Sequence, residues 1–403
     1  MANILLEQNI ITDKTLLRKS QLTGLLELVC QRLELTETQF NLAKDRYEAV
    51  GAWLSEARMP LLQKALIYPH GSIALGTTTK PVHRNEYDVD LVCFLQATSS
   101  LNPAYVKGLV GDRLREHATY RPLLEEKKRC WRLNYANEFH LDITPAISNQ
   151  ACQQGGELVP DKQLQCWKES NPRGYKRWFD DQGRLLLRFK PETSERLRRM
   201  HAEVQPLPTP TAFKGVLRRC VQLSKRHRDM WFERRDDTYA SISIIITTLA
   251  AKSYAYCATH HVYETEYDAL MDVIRRMPLF MEVIQQPMEN TRYCLWNPTT
   301  QRENFAERWN EDQRYASAFV EWHKALIEDF ARILTLEGID RIGEQFSLLF
   351  GPNITKRALN EFNERMVAAR EDKKLSVLPR VGILSTAAVA GSVPVRANTF
   401  FGA

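Results

Sequence analysis

Residues 69–95 read PHGSIALGTTTKPVHRNEYDVDLVCFL, and the rest of the chain is organised around them. The stretch closes on an apolar run, Val89 and residues 91–95, broken at its front by Asp88 and Asp90. Such a run predicts a β-strand, in which residues i and i+2 share a face, so the two carboxylates project side by side. Left unpaired they repel, and burying either is costly. A divalent cation is the usual remedy, and a pair of aspartates suits Mg²⁺ or Mn²⁺. Upstream, residues 65–68 predict another strand that ends at Gly71-Ser72, a turn offering backbone N–H groups and a hydroxyl to a phosphate. Gly-Ser and Asp-x-Asp say little separately. At 16 residues apart (88 − 72), and closing on a strand of buried type, they point together to a phosphate- and metal-binding unit.

At 403 residues the chain has room for two lobes, and its 44% hydrophobic and 26% charged residues are those of a globular protein. It shows no apolar run near twenty residues and no basic-apolar leader at Met1, so we expect neither a membrane span nor secretion, and a cytoplasmic location. The net charge of +6 allows an anionic substrate without demanding a long nucleic acid. Eight cysteines without a Cys-x-x-Cys pair suit buried thiols in a reducing compartment. Cys257, His260, His261 and Cys294 match no zinc spacing.

Around the central unit the pattern is α+β. Leu22, Leu25, Leu26, Val29 and Leu33 recur at helical spacing. Thr36-x-x-Gln39 is a capping box that opens a second, longer helix with Phe40, Ala43, Tyr47, Val50 and Leu54 on one face, a spine for two lobes to share. After a helix over 103–117 come strands over 131–135 and 139–147, the second with Asp142 as an acid inside an apolar alternation. From residue 171 the chain reads as helical, over 172–179, 213–232, 239–256, 267–284, 310–334 and 354–370. The Pro-rich segment 206–210 is a stiff connector. These patterns divide the chain into N-terminal helices (1–60), a catalytic core (61–205), a helical lobe (206–376) and a flexible tail (377–403).

Asp88, Asp90 and Asp142 on neighbouring strands would form a two-metal site, with ions roughly 3.5–4 Å apart clamping the attacking and leaving oxygens of an in-line displacement. Gly71 and Ser72 would grip phosphates. A triphosphate needs a further cation, and Lys225 from the basic helix is the candidate, with Ser241 or Ser243 as hydroxyl donors.

At this point the chain resembles the bacterial cGAS/DncV-like nucleotidyltransferases of the polymerase-β-like superfamily. The resemblance rests on Gly71-Ser72, Gly76-Thr77, Pro81, Glu86-Tyr87-Asp88-Val89-Asp90-Leu91-Val92 and Leu141-Asp142-Ile143-Thr144-Pro145. It continues through Asn171-Pro172-Arg173-Gly174-Tyr175, Leu223-Ser224-Lys225-Arg226-His227-Arg228-Asp229, Ser241-Ile242-Ser243, Asn297-Pro298 and Glu303-Asn304-Phe305, and so covers roughly residues 20–370. It implies a polymerase-β-like core joined to a helical lobe by the spine helix. It implies two Mg²⁺ or Mn²⁺ ions on the three aspartates, and phosphates held by Gly71, Ser72, Lys225 and one of Ser241 and Ser243. The implied product is a cyclic di- or trinucleotide messenger in anti-phage defence. The likeness is greatest to the clade D branch, which implies a cyclic trinucleotide from ATP and GTP. It further implies that an operon-encoded ubiquitin-transfer-like protein acts on the C-terminus, here Gly402-Ala403. No zinc-ribbon insertion is present, so no DNA requirement is implied.

Two other readings keep the same residues. A polymerase-β-like enzyme could modify an RNA end, although the chain carries no appended RNA-binding module or long basic aromatic stripe. An inactive nucleotide-sensing scaffold would not need Asp88, Asp90 and Asp142 intact.

Overall fold

The computed structural model describes residues 2–82, 87–135, 139–161, 165–195, 214–285, 291–373, 375–378, 383–385 and 393–395. Two helices open the chain, α1 (Ala2–Leu33) and α2 (Glu37–Ser55). The capping box forms as expected. Gln39 N donates to Thr36 Oγ1 at 3.2 Å, and Thr36 N donates back to Gln39 Oε1 at 3.0 Å. The two helices bury their apolar faces in different cores. Leu22, Leu25, Leu26, Val29 and Leu33 of α1 join the core of the helical lobe, whereas Ala43, Val50 and Leu54 of α2 join the core under the sheet. Each helix carries one apolar stripe, and a stripe can face only one core. Helix α1 is also the longer of the two, and Phe40 of α2 is left 49% exposed.

The catalytic half is a seven-stranded mixed sheet. Its strands are β1 (Leu66–Pro69), β2 (Tyr87–Leu95), β3 (Leu124–Glu126), β4 (Trp131–Tyr135), β5 (Phe139–Ser148), β6 (Glu157–Asp161) and β7 (Cys166–Ser170). Along the sheet the order is β1-β2-β5-β4-β3, with β6 pairing with β5 and β7 with β6. Strands β2 and β5 run parallel and the other pairs antiparallel. Between β1 and β2 lies the short helix α3 (Gly71–Leu75), and α4 (Pro103–Glu116) follows β2. Strand alternation sorts the side chains. Val89, Leu91, Cys93 and Leu95 bury with Leu141, Ile143 and Ile147 under the sheet, and Asp88, Asp90, His140 and Asp142 are left on the opposite face.

Helix α5 (Pro172–Arg184) leads toward the helical lobe, which contains α6 (Gly215–Phe232), α7 (Ser243–His260), α8 (Glu266–Arg276), α9 (Arg314–Thr335), α10 (Ile339–Phe350) and α11 (Pro352–Glu371). Helix α1 packs among these through a core holding Leu217, Leu249, Trp322 and Phe346. The helix expected over 267–284 stops at Arg276, because Pro278 cannot supply the next helical N–H. The chain goes on instead as β8 (Glu282–Ile284), paired with β9 (Arg292–Cys294). The helix expected to begin near 239 starts at Ser243, so Ser241 precedes it.

The expected flexible tail is partly ordered. Strand β10 (Ser376–Leu378) pairs with β11 (Ile383–Ser385) and β12 (Val393–Pro394), and Leu375 and Ser376 are buried. The small, weakly charged composition that suggests a tail also suits short strands, whose stability comes from backbone pairing. The connector at 206–210 and the terminal residues 398–403 lie outside the described residues, as does Glu86. All eight cysteines are free thiols, and no helix is long and apolar enough to cross a membrane among the residues described.

Candidate active site

Asp90 on β2 and Asp142 on β5 are directly opposite one another in the parallel register, with Asp88 two residues back on the same face. Asp88 is open to solvent, its side chain 63% exposed, and Asp142 is largely buried at 14%. Burial, followed by the charges of Asp142 and Asp88, pushes the Asp90 carboxyl up to about 7. The cations Lys225 and Arg132 only partly offset this.

Arg132, which the sequence did not single out, joins these three aspartates as a fourth member. It stands across from Asp142 on β4, and its guanidinium takes both carboxylate oxygens, Nε to Oδ1 and Nη2 to Oδ2, each at 2.7 Å. Nη2 also reaches Asp88 Oδ1 at 3.3 Å. The hydrogen bond to Asp142 raises the Arg132 pKa further. Among the described residues no three His, Cys, Asp or Glu side chains already converge as a metal centre, and both oxygens of Asp142 are engaged by Arg132. The donor set nevertheless fits a hard divalent cation. It is all oxygen, and three neighbouring carboxylates, one of them with its pKa held up by burial, are a set that a divalent ion would relieve. The sequence signal for Arg132 was its polar-side place in the alternation WRLNY, but pairing register alone decides what it faces.

Gly71 does not end a strand in an open turn as expected; it begins α3. Its φ is +63°, and a Cβ there would lie 2.2 Å from Asp90 Oδ2, so only glycine fits. Just before it, His70 N donates to the Asp90 carbonyl at 2.8 Å. The ring Nε2 of His70 is buried without a partner, and burial pushes this imidazole down to about 4, so it is neutral. The half-buried Ser72 accepts at its carbonyl from Thr77 N at 2.9 Å.

Lys225 comes from the helical lobe, as anticipated, yet its surroundings differ from those of a basic surface helix. It is 5% exposed, donates from Nζ to Thr77 O at 2.9 Å, and is pushed down to about 8 by burial and by Arg228. Its neighbours are buried too, with Arg226 donating to the carbonyls of Phe350 and Lys80, and His227 bonded to Asp329 and Trp322. Ser243 Oγ accepts from Arg228 Nη1 at 3.2 Å, whereas the buried Ser241 Oγ has no partner.

Gly71, Asp142 and Arg132 line a cleft of about 1220 Å³ between the two halves, with Lys128, Tyr175 and Trp296 among its other walls. That exceeds the usual span for one small ligand. The cleft can therefore hold polyanions against a cationic wall, close to an aspartate set short of positive charge.

Residues 21–182 match the family model of the second messenger oligonucleotide or dinucleotide synthetase domain. A c-di-GMP synthase of Roseivirga ehrenbergii is 30% identical over 387 residues, covering 95% of this chain and 98% of that protein. The cyclic dinucleotide synthase CdnG of Bradyrhizobium diazoefficiens is 24% identical over 385 residues, 89% of each chain. The solved structure of CdnG in complex with GTP superposes with a TM-score of 0.61 at 21% identity, over 84% of this chain and 98% of that one, a likeness of fold. Shared sequence along nearly the whole length of both proteins joins the polymerase-β-like arrangement of sheet, cleft and helical lobe. The chain belongs to the cGAS/DncV-like nucleotidyltransferases, synthases of cyclic oligonucleotides.

Proposed function

We propose that the chain links nucleoside triphosphates, GTP among them, into a cyclic dinucleotide in a reaction dependent on Mg²⁺ or Mn²⁺. The observation that carries the metal dependence is the in-register pair Asp90 and Asp142, with the Asp90 carboxyl raised to about 7 by burial and then by the charges of Asp142 and Asp88. Asp88, Asp90 and Asp142 would hold the ions, which when bound supply the positive charge that an in-line phosphoryl displacement needs. Arg132 would release Asp142 and remain beside the incoming phosphates as a further cation. Gly71 keeps the backbone close to the aspartates, and Ser72 sits beside it on α3. Lys225 would offset triphosphate charge from beneath. Ser241, whose hydroxyl is unpartnered, suits a phosphate contact better than Ser243, whose hydroxyl is already engaged.

The relatives' names support a dinucleotide made from GTP rather than the trinucleotide from ATP and GTP expected of a clade D enzyme. Incubating the purified protein with labelled GTP and ATP, singly and together, with Mg²⁺ and then phosphatase tests the reading. A phosphatase-resistant product containing two nucleotides is expected, and its loss in EDTA. A three-nucleotide ring would restore the trinucleotide expectation, and no resistant product would refute cyclisation. A role of the product in anti-phage defence belongs to the same proposal and predicts protection from phage that vanishes when the aspartates are replaced. Capture of the terminal Gly402-Ala403 by a ubiquitin-transfer-like partner predicts that deleting residues 398–403 abolishes C-terminal conjugation in cells and spares basal turnover.

A further inference from the structure

One part of the cleft wall is unsuited to phosphate. The loop over residues 295–305 is fastened across its neck, Asn297 N donating to Glu303 O at 2.8 Å and Phe305 N to Leu295 O at 2.9 Å. Within it the buried Asn297 uses Oδ1 to accept from Thr299 and Nδ2 to donate to Glu303 Oε2 at 2.7 Å. Glu303 lines the cleft beside Trp296 and Arg302. Burial pushes its carboxyl above the usual carboxylate range, with only the Asn297 bond and the charge of Arg129 opposing. Two other acids of the cleft are paired with cations, Asp142 with Arg132 and Glu307 with Lys168, whereas Glu303 has no ion-pair partner among the described residues and is the cleft acid held by the Asn297 amide. A rigidly held, acceptor-only group with a free oxygen would repel a phosphate. What it can accept is a pair of N–H donors.

Among nucleobases with a purine frame, guanine presents such a pair, N1–H beside the 2-amino group, where adenine offers a bare N1 lone pair. Arg302, exposed in the same wall, can donate to the guanine O6 and N7 edge, and the 38% exposed Trp296 offers a ring face for stacking. We infer that Glu303 selects guanine in this cleft by accepting from N1–H and the 2-amino group of a bound GTP. The inference rests on the synthase reading above for the identity of its substrate.

The test compares GTP with ITP, which differs only in lacking the 2-amino group. Glu303→Gln keeps the size of the side chain. Because Asn297 Nδ2 already points a donor at one oxygen position, the amide oxygen must stay there and the NH₂ turns toward the base, donor against donor. In the wild type kcat/KM should favour GTP over ITP by roughly tenfold or more, and the variant should lose that preference with its melting temperature unchanged. A preference that survives in Glu303→Gln, an equal fall for both nucleotides, or a wild type that does not discriminate would each overturn the assignment. Calorimetric binding of GTP and ITP, with Mg²⁺ present, reads the same preference without turnover. A protein that binds with this selectivity yet makes no product would refute the synthase reading and leave Glu303 assigned.

Discussion

Asp90 should weaken the metal-free protein that it serves. Its carboxyl moves from the ordinary 3.8 in the unfolded chain to about 7 in the folded one, chiefly by burial and then by Asp142 and Asp88. Between those pH values the folded state holds a proton that the unfolded state has lost, so stability falls as pH rises through the window and the full penalty stands above pH 7. At about 1.4 kcal/mol per pKa unit the ceiling is about 4 kcal/mol. Asp90 keeps a partly open face, and water there screens the charge, so roughly 2 kcal/mol is the expected size. Asp90→Asn has the same shape and no charge. In EDTA at pH 8 it should be the more stable protein by roughly 2 kcal/mol, several degrees in melting temperature, and at pH 4 the two should coincide. Turnover should be lost at every pH. Denaturant unfolding at a series of pH values measures the difference. A variant that is destabilised, or a difference that does not change between pH 4 and pH 8, would refute the account of Asp90 as an uncompensated charge.

Gly71→Ala puts a Cβ 2.2 Å from Asp90 Oδ2 at a φ of +63°, whereas Gly76→Ala, with a φ of +67°, meets nothing nearer than 3.4 Å. Both should lose roughly 1–2 kcal/mol to backbone strain, measured by thermal melting, but only the first should also cost activity by tenfold or more. Arg132→Gln removes the fork that holds Asp142, so nucleotide-free protein should bind Mn²⁺ roughly tenfold more tightly by calorimetry; unchanged or weaker binding would show that the arginine does not compete with metal. Lys225→Ala should weaken triphosphate use by at least about tenfold in steady-state kinetics, the worth of one charge-assisted contact.

The features legible in the sequence are those carried by local periodicity. Asp88 and Asp90 share a face because strand side chains alternate, and Asp142 joins them because its own strand alternates in the same way. The capping box at Thr36 and Gln39 closes within four residues, so its reading needed nothing distant. What only tertiary structure decided involves partners far apart in the chain. The cross-strand register sets Arg132 on Asp142 and gives the aspartates a resident cation. Packing against Phe350 and Asp329 turns the Lys225-Arg226-His227 stretch inward, where a charge pattern alone suggests a solvated face. The break at residues 34–36 sends α1 and α2 into different cores, because both stripes are apolar and neither names its partner. Short strands near 376–394 owe their order to pairing with each other, a gain in backbone hydrogen bonds that their weak composition does not announce.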